Sequence, residues 1–254
     1  PEEDWIKKNR AYISMTMTQL IDILKAIKSD KKVVAMIAPS IVGQFPGTLY
    51  QLKTAILKAG FDEVIEVAQG ADITTKNEAA EFKERMEEGA SFMTTSCCAA
   101  YNNLVAKHLP EVKPFVSTTK TPLYYTAELV KNAEPDTITV FVSPCVAKRS
   151  EGKANDNVNF VMSYEELGAV FIGRQIDVLN CEETEFETKS SKQGRKFGVS
   201  GGVASAVQFL APEAKPCIIN GLNKTTIKEL KQYATKGECA GCNIVEVMSC
   251  EGGC

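Results

Sequence analysis

Between residues 15 and 142 short apolar runs alternate with segments of helical period, and this alternation restricts the fold more than any other feature of the chain. At 15–28, Leu20, Ile21, Ile23, Leu24 and Ile27 recur at helical spacing, and Lys31-Lys32 then leads into the strand-like Val33-Val34-Ala35-Met36-Ile37. That run stops at Ala38-Pro39-Ser40. Residues 46–59, with Leu49, Leu52, Ile56 and Leu57 and with Gly60 beyond, predict the next helix, and Val64-Ile65-Glu66-Val67 the next strand. A helix at 74–88, a strand at 91–94, helices at 99–108 and 122–132 and a strand at 138–142 follow. Strands separated by helices over this distance need crossover connections, which gives an α/β fold with mainly parallel sheets flanked by helices. The strands 33–37 and 138–142 both end in small-Pro-small, Ala38-Pro39-Ser40 and Ser143-Pro144-Cys145. This echo predicts two similar lobes facing one another across a cleft, drawn at about 31–133 and about 136–225, with a C-terminal segment at 226–254. Trp5 and Lys7-Lys8 are assigned to an opening helix, and the polar, aperiodic stretch 177–196 to a surface excursion.

A chain of 254 residues with 44% hydrophobic and 24% charged residues can bury a full core. Its formal net charge of -3 gives no long-range attraction toward nucleic acid or anionic lipid. No apolar stretch approaches the roughly 20 residues of a bilayer span, so neither nucleic acid nor membrane is an expected partner. Nine cysteines, an odd number with no secretory signal at the start, argue against a disulfide framework. They fit reduced, cytoplasmic thiols that serve as metal ligands. The chain opens on Pro1 and stops on Cys254 within a glycine-rich loop, so both ends are expected to be cut.

Four of the cysteines lie where an apolar run meets small residues or Pro: Cys98 in Thr95-Ser96-Cys97-Cys98, Cys145 after Pro144, and Cys250 and Cys254 around Glu251-Gly252-Gly253. Ligands in open α/β sheets bind beyond the carboxyl ends of strands, and Cys98 and Cys145 both stand there, ahead of helix starts that favour negative charge. The spacing Cys250-x-x-x-Cys254 with two glycines lets both sulfurs approach one metal site, as in cysteine-rich ferredoxin turns. Adjacent Cys97 and Cys98 point apart, so one is a ligand and the other is directed elsewhere. Cys239-x-x-Cys242 together with Cys250 and Cys254 would make a complete local four-sulfur site of zinc or iron–sulfur type, which spacing alone leaves open. Cys181 and Cys217 each stand alone and read as small buried hydrophobes. His108, the single histidine, reads as a helix C-terminal cap.

Taken in order, Thr95-Ser96-Cys97-Cys98, Pro144-Cys145-Val146-Ala147-Lys148-Arg149-Ser150-Glu151 and Glu246-Val247-Met248-Ser249-Cys250-Glu251-Gly252-Gly253-Cys254 resemble the three signature motifs of [FeFe]-hydrogenases. The resemblance covers nearly the whole chain. It implies an H-cluster held in the cleft, a [4Fe-4S] cubane joined through a cysteine sulfur to a di-iron subcluster with CO, CN and a bridging dithiolate amine. The implied reaction is the reversible interconversion of dihydrogen with protons and electrons. By motif, Cys98, Cys145, Cys250 and Cys254 would bind the cubane, and Cys254 would bridge to the di-iron subcluster. Cys97 would donate and accept protons, Lys148 would hydrogen-bond a cyanide, and Ala38, Pro39, Ser40, Ser143 and Met248 would line the di-iron pocket.

Glu78-x-x-Glu81-x-x-x-Arg85 is similar to the family's proton path, with Ser117 as a further member; i, i+3 and i+7 share a helix face. The same spacing also describes an ordinary solvated face with Glu–Arg pairs. Ala99-Ala100-Tyr101, Ser143 and Leu123 depart from the catalytic pattern, in which Pro and a large aromatic, Met, and Gln stand at these places. These departures resemble the sensory branch, whose members turn over slowly and report on hydrogen. The implied partners are iron–sulfur electron-transfer modules or ferredoxin, di-iron maturation factors and a signalling partner, with an accessory cluster near Cys239 and Cys242. The alternative is a hydrogenase-like iron–sulfur scaffold or assembly protein holding only [4Fe-4S] clusters, against which Cys97 and Lys148 argue.

Overall fold

The computed structural model describes residues 18–239 and 241–254. Residues 15–17 of the first predicted helix, and the predicted opening helix at Trp5 and Lys7-Lys8, lie outside the described residues. The chain runs through α1 (Leu20–Ile27), β1 (Val33–Ile37), α2 (Leu49–Lys58), β2 (Glu63–Glu66), α3 (Ala68–Glu87), β3 (Met93–Thr94), α4 (Ala99–His108) and α5 (Pro122–Ala133). It continues through β4 (Ile138–Ser143), α6 (Lys148–Lys153), β5 (Phe160–Ser163), α7 (Tyr164–Gly173), α8 (Lys192–Arg195), α9 (Gly202–Leu210), β6 (Pro216–Asn220), α10 (Lys224–Lys236) and β7 (Ile244–Met248). Two parallel sheets result, ordered β2-β1-β4-β5 and β3-β7-β6, which is the predicted α/β class. No helix among the described residues is long and apolar enough to cross a membrane.

The predicted lobe boundaries need correction. β1 and β4 are neighbours in one sheet, paired from Val33 with Ile138 to Ile37 with Val142, so the small-Pro-small echo marks two adjacent strands ending at one level. The described residues form two compact units, each from two stretches of chain: 18–66 with Ala127–Thr188, and Val67–Thr126 with 189–239 and 241–254. The physical reason is that β1 is buried along its whole length and needs a strand on each side, and a parallel crossover can supply one from far away in sequence.

In the first unit, Ile37, Ile56, Val140, Val142, Met162, Leu167 and Phe171 share one core. Capping boxes, Thr48 with Gln51 and Ser163 with Glu166, start α2 and α7 at fixed points against it. The predicted surface excursion 177–196 holds a short 3-10 turn (Val178–Asn180) and α8, and is otherwise irregular.

In the second unit the central strand β7 is buried at all five positions. Val245 and Val247 join Phe92, Tyr101 and Leu230 on one face. Ile244 packs with Val207, and Met248 with Val203 and Ala206, on the other face against α9. Glu246 shares that second face, and its carboxylate accepts the amides of Gly201 (2.7 Å) and Ala204 (2.7 Å). A strand residue thus caps α9, whose own N-cap, Gly201, has no side chain to do so. α3 begins at Ala68, six residues before the predicted start. Gly70 lowers helix propensity in the sequence, yet a methyl group there would stand 2.1 Å from the Pro122 carbonyl oxygen, so packing demands the glycine.

Candidate metal centre

The second unit gathers Cys97, Cys98, Met248, Cys250 and Cys254 at the carboxyl end of β3-β7-β6. The Thr95 amide continues the β3–β7 pairing by donating to the Val245 carbonyl (3.0 Å), and the chain then turns through Ser96, Cys97 and Cys98 into α4. Ser96 is fixed from both sides, its hydroxyl on the Thr119 carbonyl (2.8 Å) and its own carbonyl accepting the Asn102 side-chain amide (2.6 Å). Cys98 occupies the N-cap position of α4 without using its thiol as a cap. Cys97 and Cys98 both pack against the cluster of Ala71, Phe197, Val203, Ala206 and Met248.

The loop 250–254 leaves the same end of the sheet. The Gly252 amide donates to the Asn220 side chain (2.7 Å), the Ser200 amide to the Gly252 carbonyl (3.0 Å), and the Cys254 amide to the Gly198 carbonyl (2.8 Å). Gly253, at φ +117°, admits no side chain, since a methyl group would lie 2.1 Å from the Gly198 oxygen. Cys250 and Cys254 are exposed, so they are not core thiols. Among the described residues no three His, Cys, Asp or Glu side chains form a group that could hold a metal ion. In donor type, in their place beyond the strand ends and in the close-packed glycine loop, Cys98, Cys250 and Cys254 nevertheless fit thiolate ligation of an iron–sulfur cluster.

In the first unit the β1–β4 pairing brings together Ala38, Pro39, Ser40, Ser143 and Cys145. Ala38 donates its amide to the Val142 carbonyl (2.9 Å), which carries Pro39 and Ser40 alongside Ser143 and Cys145. The Ser40 hydroxyl lies 2.8 Å from the Tyr164 hydroxyl, and the buried Ser143 hydroxyl accepts the Cys145 amide (3.3 Å). Lys148 forms an ion pair with Glu151 at 2.6 Å.

The predicted proton path lies on α3. Glu78 is 0% exposed, and neither carboxylate oxygen has a hydrogen-bond partner. Burial pushes its carboxyl up to about 8, against the pull of the nearby Ser117 hydroxyl and Ser96 amide, which lie outside hydrogen-bond geometry. Glu81, one turn on, is the opposite case. Burial alone would raise it, but the Thr118 amide (2.8 Å), the Thr119 hydroxyl (2.7 Å) and the Ser117 hydroxyl (2.7 Å) lower it to about 2. Arg85 adds an ion pair at 2.6 Å and donates to the Pro114 and Val116 carbonyls. This is not an ordinary solvated face, since Glu78 is fully enclosed and Glu81 and Arg85 are mostly so.

Cys217 and Cys242 depart from expectation. Cys217 and Cys242 form a disulfide with their Cα atoms 5.8 Å apart, so Cys217 is not a lone buried hydrophobe and the chain is not without disulfides. The two are 25 residues apart, and the β6–β7 pairing, with Cys217 opposite Val245, makes them neighbours. With its sulfur bonded to Cys217, Cys242 offers no thiolate to the predicted accessory cluster with Cys239. The local four-sulfur alternative also fails. Cys239 and Cys242 precede β7 while Cys250 and Cys254 follow it, and five strand residues at ~3.3 Å each hold the pairs ~13 Å or more apart, whereas thiolates sharing one metal lie within ~5 Å. Cys181 is buried in the first core, and His108 is the last residue of α4. Sequence reasoning missed the capping role of Glu246, although a lone carboxylate inside the apolar run 244–248 is a visible signal. It also missed Asn220, for which nothing in the sequence gives notice.

A profile of the family described as iron only hydrogenase large subunit, C-terminal domain, matches residues 31–254. Iron hydrogenase 1 of Clostridium pasteurianum is 25% identical over 89% of this chain and 49% of its own length. The periplasmic [Fe] hydrogenase large subunit of Nitratidesulfovibrio vulgaris is 26% identical over 92% of this chain and 70% of its own. The chain thus spans about half the length of the first of these relatives. The fold is similar to that of a solved variant of [FeFe]-hydrogenase HydA1 from Chlamydomonas reinhardtii, with a TM-score of 0.74 at 20% identity over 90% of this chain and 82% of that one.

Proposed function

Since the chain belongs to the family of the iron only hydrogenase large subunit, C-terminal domain, we propose that it holds an H-cluster and interconverts dihydrogen with protons and electrons. The observation that carries this reading is the emergence of Cys97, Cys98, Met248 and the glycine-packed loop 250–254 at one end of one parallel sheet. By the family's motifs, Cys98, Cys145, Cys250 and Cys254 would hold the [4Fe-4S] cubane. When bound, the H-cluster supplies the metal site and the bridging amine at which dihydrogen is handled.

The protein's own residues do the rest. Cys97 holds the exchanged proton, kept in place by the apolar cluster on which it packs. Glu78 carries the proton onward, because a carboxyl with a pKa of about 8 gives and takes a proton near neutrality. Ser117 provides a hydroxyl next to it. Glu81 stays ionised and, with Arg85, fixes the 117–119 loop so that this hydroxyl keeps its position. Lys148, whose ammonium is oriented by Glu151, would offer it to a cyanide of the bound group. By the same motifs, Ala38, Pro39, Ser40, Ser143 and Met248 would line the di-iron subcluster.

The turnover is slow and serves hydrogen sensing. Support comes from Leu123, 1% exposed, and Ser143, 3% exposed, which put a hydrocarbon and a short hydroxyl where catalytic members of the family have Gln and Met. Electrons pass to iron–sulfur modules or ferredoxin, maturation factors deliver the di-iron subcluster, and a signalling partner reads the result. Cytoplasmic residence belongs to the same reading, supported by Cys98, Cys145, Cys181 and Cys239 standing outside any disulfide.

The test is reconstitution with iron and sulfide, then with the synthetic di-iron complex. Infrared bands of CO and cyanide together with measurable hydrogen turnover are expected. In Cys97→Ala the bands should persist while turnover falls by at least ~100-fold, the scale of a lost general acid–base group. An intact cubane without those bands would make the protein an iron–sulfur scaffold instead.

A further inference from the structure

Three cysteines that the proposed reaction does not use meet at the amino end of β6 and β7. Cys217, the second residue of β6, is bonded to Cys242, and the buried Cys239, 2% exposed, donates its thiol to the Cys242 carbonyl at 2.9 Å. Cys239 and Cys242 are also partners in an antiparallel bridge, closed by the Cys242 amide on the Cys239 carbonyl (2.6 Å) and turned by Gly241 at φ +81°. Residues opposed in this way have Cα atoms ~4.5–5.5 Å apart. That falls inside the ~4.4–6.8 Å window in which a disulfide closes without backbone movement, as does the 5.8 Å separation of Cys217 and Cys242. Cys242 therefore has two partners within reach, one from a distant strand and one from its own turn, and all three side chains border the same apolar cluster.

We infer that Cys217, Cys239 and Cys242 form a thiol–disulfide exchange site in which Cys242 passes its disulfide between Cys217 and Cys239. In the forward step the Cys239 thiolate attacks the Cys242 sulfur. A Cys239–Cys242 bond forms, the Cys217–Cys242 bond breaks, and Cys217 leaves as a thiolate that takes up the proton Cys239 lost. Electrons balance without any outside oxidant or reductant. Burial raises the Cys239 thiol above its ordinary value, so little of the attacking thiolate is present and the exchange is slow.

The exchange has a mechanical consequence. β6 is the edge strand of its sheet, held at its amino end by the Cys217–Cys242 bond and at its carboxyl end by Asn220, whose side chain accepts the Gly252 amide, and by the Gly221 amide on the Met248 carbonyl (3.0 Å). Moving the disulfide into the turn removes the covalent tie at one end of the strand whose other end holds the loop 250–254, and leaves that end to its hydrogen bonds with residues 243–245.

The test uses the full chain, purified without oxygen and equilibrated in glutathione buffers from reducing to oxidising poise. Thiols are then quenched with iodoacetamide and the disulfides mapped by tryptic mass spectrometry. Both Cys217–Cys242 and Cys239–Cys242 are expected in the unaltered chain at intermediate poise. Cys239→Ser should keep only the first connectivity. Cys217→Ser, with an unchanged circular dichroism spectrum, should form only the second. Finding Cys217–Cys242 alone at every poise until all thiols appear together would overturn the proposal. So would three thiols alkylated at every poise, or protection of all three by a stoichiometric zinc or iron that Cys239→Ser loses. Hydrogen turnover enters none of these readouts, so this inference and the proposed function fail separately.

Discussion

Glu78 and Glu81 lie three positions apart on one helix and occupy opposite protonation regimes. Glu78 has no partner for its carboxylate and stays protonated to about pH 8, while Glu81, surrounded by the donors of residues 117–119, stays ionised to about pH 2. The linkage to stability follows. Between about pH 4.5 and 8 the folded protein keeps the Glu78 proton that the unfolded chain gives up, so Glu78 costs increasing stability as pH rises through that window. The Glu81 contribution is present above about pH 4.5 and is lost as pH falls toward 2. Denaturant unfolding of the unaltered chain and of Glu78→Gln at a series of pH values should therefore show the variant gaining on the parent between pH 5 and 8. The gain should be on the order of a few kcal/mol at roughly 1.4 kcal/mol per pH unit. Parallel pH profiles would remove the assignment. Spacing in the sequence exposed the shared face of Glu78, Glu81 and Arg85. It could not tell which carboxylate is neutral, because the deciding donors come from a loop some 36 residues further along.

At the scale of single elements, α9 depends on a group that is not its own. Removing the Glu246 carboxylate leaves the Gly201 and Ala204 amides without acceptors in a dry site, at about 1–3 kcal/mol for each unpaired donor. Glu246→Ala should accordingly lower the unfolding free energy by about 2–6 kcal/mol, with Glu246→Gln losing about half of that because one oxygen acceptor remains. Chemical denaturation monitored by far-ultraviolet circular dichroism checks both, and a loss under about 0.5 kcal/mol for the alanine variant would show that water serves these amides instead. Elements with strong local signals were legible: Val33–Ile37 and Ala99–His108 form over the predicted residues, since an unbroken apolar run and a clean helical stretch need no outside help. The start of α3 was not legible, because Gly70 is there for the Pro122 carbonyl and not for the helix. Strand order was equally hidden. Nothing local in 33–37 specifies 138–142 as its neighbour, and nothing around Cys217 announces Cys242.

Across the whole molecule, each compact unit is built from two separated stretches of chain. A fragment ending at residue 133 would keep β1 and β2 without β4 and β5, and β3 without β7. Both sheets would lose a strand that is central to them, and such a fragment should show no cooperative thermal transition by circular dichroism. A sharp two-state melt would reinstate the boundary near residue 133 that the sequence suggested.

β7 carries a last implication. Its odd-numbered residues serve one layer and its even-numbered residues another, with one group of sulfurs before it and a second after it. Inserting or deleting a single amino acid there would turn the Glu246 charge into the aromatic layer, expel two valines from it, and change the spacing of the flanking cysteines at the same stroke. The strand can therefore exchange one apolar side chain for another far more cheaply than it can gain or lose a residue.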